Sequence, residues 1–92
     1  MKFEWDERKA YENLRKHDAS FDEAVAVFLD PLSMTLSDED HSIGEHRYID
    51  LGLTRKGRLL VVVYTERGER IRIISCRTAT AAERKTYETA RS

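Results

Sequence analysis

Apolar residues along this chain fall into short patches with distinct periods, and the periods predict its elements. The densest patch, Leu59-Leu60-Val61-Val62-Val63-Tyr64, sits in residues 58–66, and residues 70–77 follow as Arg-Ile-Arg-Ile-Ile-Ser-Cys-Arg. β-Branched density predicts strands for both, with Arg67-Gly68-Glu69 turning between them as a hairpin. Residues 32–36 and 47–53 alternate and predict two more strands. Phe3-Glu4-Trp5 reads as a short extended lead-in.

Helical spacing occurs in three places. Asp6 is a good N-cap for a helix over residues 7–17, with Ala10 and Leu14, and Tyr11 beside them, on its inner side. Its last turn, Arg15-Lys16-His17, puts cations where the helix dipole favours them. Ser20, with Glu23 three positions on, forms a capping box for a second helix. Phe21, Ala24, Val25 and Phe28 make its apolar stripe, and Asp30-Pro31 stops it. Thr80 and Glu83 repeat the box before a last helix over residues 80–91, whose inner face is Ala82, Tyr87 and Ala90. The order β-α-α-β-β-β-β-α predicts an α+β fold in one domain over residues 1–92. In it a helical hairpin packs on a four-stranded antiparallel meander, with a C-terminal helix.

Charge adds a division that the pattern does not show. Residues 1–50 carry six Lys and Arg against thirteen Asp and Glu, whereas residues 51–92 carry ten against four. The net charge of −1 therefore conceals a basic C-terminal half able to meet an anion. Cys76 is the only cysteine, which excludes an intramolecular disulfide and a cysteine-based zinc site. No apolar run reaches the roughly 20 residues of a membrane helix, and Met1-Lys2-Phe3-Glu4 does not open a signal peptide, so a cytoplasmic protein without membrane contact is expected. Asp38, Asp40, His41 and His46 invite a metal, but an EF-hand loop would need glycine at Ile43 and a carboxylate at Ile49. A solvated acidic loop is the better reading, and no metal or other cofactor is expected.

The arginines of residues 70–77 stand in a strand that otherwise reads as core. Unpaired charge is not tolerated on a buried face, so each sits at a rim, pairs with an acid, or meets an anionic ligand. In a regular strand Arg72 and Arg77 point to opposite faces. One site can use both only if a bulge intervenes or Arg77 swings past the strand end, and the second is the expectation.

Several separated motifs now converge. Phe3-Glu4-Trp5-Asp6, Asn13-Leu14-Arg15-Lys16-His17 and Ser20-Phe21-Asp22-Glu23-Ala24 resemble the opening of the BrnT family, the toxins of type II toxin–antitoxin pairs. Asp30-Pro31-Leu32, Asp38, His41 and Glu45-His46-Arg47 are similar to its middle segment. Residues 58–67 and 71–77, with Ala79, Glu83 and Tyr87, are similar to its C-terminal half. Two departures are visible: Tyr64 where histidine is common, and Cys76 where alanine is common.

The resemblance implies a RelE-like fold and metal-independent endoribonuclease activity that inhibits translation. It also implies neutralisation by a BrnA-like ribbon-helix-helix antitoxin in a 2:2 heterotetramer. Operator DNA would then be reached only through that antitoxin, in repression of the pair's own operon. Metal-free RNA cleavage uses the substrate's 2′-hydroxyl as nucleophile. It needs a base, an acid for the leaving 5′-oxygen, and cations for the phosphorane charge. Candidates are Arg67, Arg72 and Arg77 for charge, Glu66 as base with His17 as the alternative, and Tyr87 for stacking or proton donation. Lys16, His17, Arg47, Tyr64 and Arg70 are candidate RNA contacts. The competing reading is a non-catalytic module or co-repressor that only docks a DNA-binding partner, through the acidic helical half or the basic sheet, with these arginines anchoring the interface. DNA binding by this chain alone is disfavoured, because no helix carries a basic, base-reading pattern.

Overall fold

Helix boundaries follow their caps. In a computed structural model that describes residues 1–37 and 45–90, Asp6 accepts the Lys9 N–H at 3.1 Å and opens α1 (Glu7–His17), which closes on Asp18 in the left-handed region. Ser20 Oγ accepts the Glu23 N–H at 3.0 Å at the start of α2 (Phe21–Val27). Only the Ser20 half of that capping box forms; both Glu23 carboxylate oxygens take Arg58 Nη1, at 2.9 and 3.0 Å. Both halves form at α3 (Ala81–Ala90). There Glu83 donates its N–H to Thr80 Oγ1 at 3.2 Å and returns its Oε1 to the Thr80 N–H at 2.8 Å.

Among the described residues five strands make one sheet: β1 (Lys2–Glu4), β2 (Met34–Ser37), β3 (Arg47–Leu53), β4 (Leu59–Arg67) and β5 (Arg70–Thr78), ordered β1-β5-β4-β3-β2. The hairpin β4–β5 turns at Gly68, whose φ of +61° suits glycine. β2 begins two residues later than the alternation suggests, since the Asp30 carboxylate takes the Leu32 N–H at 2.9 Å and prolongs the turn.

The expected all-antiparallel four-stranded meander is corrected here: the sheet is mixed. β1 lies parallel to β5, with Lys2, Phe3 and Glu4 beside Arg70, Ile71 and Arg72. Phe3 enters the core against Phe28 (centroids 5.1 Å apart), and Glu4 settles between two arginines. Without β1, this stretch of β5 would be an open edge with uncompensated cations.

The first sheet face carries α1 and α2. Ala19, Phe21, Ala24 and Val27 pack on Leu60, Val62, Tyr64, Ile71, Ile73 and Cys76. Gly52 lies directly under α2, where an added Cβ would come within 2.9 Å of Val27 Cγ1. α1 is rotated from its expected orientation. Asn13 is buried, while Leu14 and Tyr11 are 47% and 60% exposed. Hydrogen bonding decides the rotation: Asn13 Nδ2 donates to the Ala19 and Cys76 carbonyls, each at 2.9 Å, and Oδ1 accepts the Cys76 N–H at 3.1 Å.

The second face is only partly covered. Tyr87 of α3 packs with Leu51, Leu59 and Val61, and its hydroxyl donates to Asp30 Oδ2 at 2.6 Å. Ala82 and Ala90, expected beside it on the inner face, are exposed.

Candidate active site

The register between β4 and β5 changes once. Val61, Val62 and Val63 face Arg77, Cys76 and Ser75, and then Tyr64 faces Ile73 and Thr65 faces Arg72. Ile74 thus has no partner on β4, a one-residue bulge. The extra residue reverses the parity of everything beyond it, so Arg72 and Arg77 emerge on the same face. Contrary to the expectation from the sequence, Arg77 does not swing past the strand end; it lies within β5, and the bulge aligns it.

Register places Arg47, opposite Thr65, on that same second face, and Arg67 and Arg70 at its hairpin end. α3 covers the other end. Arg47, Val63, Arg72, Ser75 and Arg77 stay part-exposed, as a cationic strip across three strands.

Several of these arginines are held by acids from outside their own strand. Arg72 Nη1 meets Glu4 Oε2 at 2.8 Å, and Arg70 reaches the other Glu4 oxygen at 3.5 Å. Arg67 pairs with Glu45 at 3.1 Å. Arg77 grips Glu83 bidentately at 2.8 and 2.9 Å and gives a third bond to the Thr78 carbonyl at 3.3 Å. Hydrogen bonds from Arg77, aided by the Thr80 N–H, hold the Glu83 carboxyl at about 2 against the cost of burial. Glu4 is lowered for the same reason, chiefly by Arg72. Carboxylates this acidic are weak bases, so the strip supplies fixed positive charge rather than proton abstraction.

Other candidates lie elsewhere. Tyr64 is 7% exposed on the helix-covered face, stacked on Tyr48 (5.5 Å), and its hydroxyl donates to Asp50 Oδ1 at 2.9 Å. Burial, then the Asp50 charge, raises its pKa. This role in the core explains how tyrosine serves at that position. Glu66 belongs to the same face by strand alternation and neighbours Tyr48, so it is separated from the arginine strip by the sheet. Tyr87, 2% exposed, has no ring surface to offer a base. Cys76 is buried, and its thiol is pushed up to about 11 by desolvation, which excludes it as a nucleophile near neutral pH.

Lys16 and His17 end α1 and share a shallow cleft of about 210 Å³ with Lys9, Glu12, Asn13, Ile74 and Ser75. The cleft touches β5 at the bulge, beyond the three residues that β1 flanks. Ser75 lines it and also shares the face of Arg72 and Arg77, so the bulge joins the two groups. Asp38, Asp40 and His41 lie outside the described residues. Of that group His46 is described, with its ring against Tyr48 at 4.5 Å.

Sequence reasoning did not single out Glu4, Asn13 or Ser75 as part of this arrangement, and took Glu83 only as a cap. One signal was present: apolar positions 71, 73 and 76 change spacing from two to three at Ile74.

Comparison with known proteins gives this arrangement a family. A family model described as the ribonuclease toxin BrnT of type II toxin–antitoxin systems matches residues 5–83. Among solved structures, the chain is similar to the ribonuclease toxin BrnT of Brucella abortus. The identity is 26% and the TM-score 0.69, over 87% of this chain and 97% of that one. No curated protein matches. Because the family match runs from the residue after β1 into the first turn of α3, this chain belongs to the BrnT family of ribonuclease toxins of type II toxin–antitoxin systems.

Proposed function

We propose that this toxin cleaves RNA without a metal, on the open cationic strip of the second sheet face. The observation that carries the reading is the bulge at Ile74, which brings Arg72 and Arg77 to one surface with Arg47. Arg72 and Arg77 stabilise the negative charge that builds on the phosphorane, where a planar, permanently charged fork is most effective. Arg47 and Arg70 bind the flanking phosphates, and Lys16 and His17 continue that path over the edge of β5. Of the two candidate bases, Glu66 faces away and His17 shares a cleft with Ser75, which favours His17. Tyr64 and Tyr87 are assigned to the core, and Arg67 to the rim of the strip.

The partner follows from the family rather than from this chain's geometry. A type II toxin has an antitoxin. We assign that role to a BrnA-like ribbon-helix-helix protein that forms a 2:2 complex and carries the pair to operator DNA in the cytoplasm. The pairing of the strip with acids also suits a protein interface, so the experiment must separate catalysis from docking.

Purified chain is incubated with single-stranded RNA in EDTA, wild type against Arg77→Ala. The expected result is cleavage by wild type and a loss of about 100- to 1,000-fold in the variant. Antitoxin affinity should stay within about tenfold. Unchanged cleavage in the variant, or none by wild type in EDTA, rejects this reading.

A further inference from the structure

Arginine carries five N–H donors on fixed edges of a planar group, so the bonds already made dictate which edge is left for a ligand. Arg77 uses three. Both Nη1 hydrogens are taken, one by Glu83 Oε1 and one by the Thr78 carbonyl, and one Nη2 hydrogen goes to Glu83 Oε2. The two that remain, on Nε and Nη2, lie side by side on one edge. Together they form a complete two-pronged fork of the kind that grips a phosphate.

Glu83 is itself fixed. Its Oε1 also accepts the Thr80 N–H at 2.8 Å, its backbone N–H bonds back to Thr80 Oγ1, and α3 is anchored by Tyr87 on Asp30. The carboxylate therefore has little freedom to let Arg77 turn.

We propose that Glu83 is a positioning residue for RNA cleavage, holding Arg77 by the end of its guanidinium so that the Nε–Nη2 edge is presented to the scissile phosphate. This rests on the assignment of Arg77 to the reaction. It gives Glu83 a role beyond its helix cap and makes α3 part of the site, although α3 contributes no group that touches RNA. The low pKa of Glu83 fits, since the carboxylate stays charged across the whole working range.

Two other roles predict different results. A carboxylate that only caps α3 would act through stability, independently of Arg77. A carboxylate that plugs Arg77 against phosphate would slow cleavage, and its removal would speed it up.

The test is a double-mutant comparison on the full chain, with an RNA oligonucleotide for turnover and its 2′-deoxy analogue for binding. Glu83→Ala should lower kcat by about 10- to 100-fold with KM within threefold, the signature of a misplaced rather than missing cation. Glu83→Gln, which keeps an acceptor for the Thr80 N–H and one contact to Arg77, should recover part of that loss. Against Arg77→Ala, whose residual cleavage and analogue affinity give the baseline, Glu83→Ala should add less than twofold. An equal loss in both backgrounds, or a faster Glu83→Ala enzyme, overturns the proposal. Wild-type cleavage by Arg77→Ala would instead reject the underlying assignment of Arg77, and this proposal with it. Melting curves of each variant exclude unfolding as the cause, and Glu83→Gln supplies the reading if Glu83→Ala does not fold.

Discussion

Replacing Asn13 by leucine should damage this protein far more than removing the leucine next to it. Asn13 is the buried polar group that joins α1 to β5, and its amide closes hydrogen bonds to the Ala19 carbonyl and to both backbone groups of Cys76. Ala19 and Cys76 are essentially inaccessible to water, so Asn13→Leu leaves both Cys76 backbone groups without a replacement partner and the Ala19 carbonyl with only the weak Cys76 thiol donor at 3.7 Å. A buried unsatisfied group costs about 1–3 kcal/mol, and the new apolar side chain returns at most about 2–3 kcal/mol if it fits. Summed over these groups the cost is about 3–9 kcal/mol, so the net loss is about 1–6 kcal/mol, out of the roughly 5–15 kcal/mol expected for a domain this size. Leu14→Ala, at a half-exposed position, should cost less than about 1 kcal/mol. Urea unfolding followed by the fluorescence of Trp5, the only tryptophan, reads both, because its ring packs edge-on against Phe21 (5.8 Å). A hydrophobic-pattern reading of α1 predicts the opposite order. Asn13→Leu costing less than about 1 kcal/mol, or less than Leu14→Ala, would refute the hydrogen-bond account.

Three further outcomes follow from the same contacts. The Glu83 carboxyl falls from its ordinary 4.5 to about 2 on folding, so its contribution is complete above pH 4.5 and disappears as pH drops toward 2. Denaturation of wild type and Glu83→Gln between pH 2 and 7 should show a stability gap that closes over this window; a constant gap contradicts the pairing. Inserting one residue on β4 between Val63 and Tyr64 gives Ile74 a partner, so β5 returns to regular alternation and sends Arg72 and Arg77 to opposite faces, whereas Ile74→Ala keeps the bulge. Cleavage should fall at least as far as in Arg77→Ala for the insertion and stay within threefold for the substitution; an active insertion variant counts against the shared face. Asp50 is buried, and desolvation raises its pKa despite bonds from Thr35 and Tyr64, so its stabilising, protonated form is lost as pH rises through the folded value. Asp50→Asn should therefore be within about 1 kcal/mol of wild type at pH 7, while Asp50→Ala, which strands the Tyr64 hydroxyl, should cost about 1–3 kcal/mol. Thermal melts at pH 5 and 7 check both.

Elements whose signals are local were legible in the sequence. Asp6 and the apolar spacing after it bounded α1 as residues 7–17, alternation gave β3 as residues 47–53, and β-branched density around Gly68 gave the hairpin. What escaped depends on partners distant in the chain. Three residues at the N-terminus join the sheet only because Arg70–Arg72 lies open beside them, and no period within Phe3-Glu4-Trp5 encodes that. Asn13 turned α1 by bonding to Cys76, 63 residues away, which outweighed the apolar pull of Leu14 and Tyr11.

The candidate site divided along the same line. Arg72 and Arg77 were recognised from charge in a core-like strand, but their shared face required the bulge. Glu66 and Tyr64 were grouped with them by nearness in sequence, and strand alternation put both on the other face.

The most direct test of the shared cationic face is residue-level mapping of a bound substrate mimic. Two-dimensional NMR of the full chain, titrated with the 2′-deoxy analogue of a cleaved RNA, reports which amides and side chains shift. The strip account predicts the largest changes at Arg47, Arg72, Ser75 and Arg77, extending to His17. Changes centred on Tyr48 and Glu66 behind the sheet, or on Tyr11 and Leu14, with Arg72 and Arg77 unmoved, would contradict it.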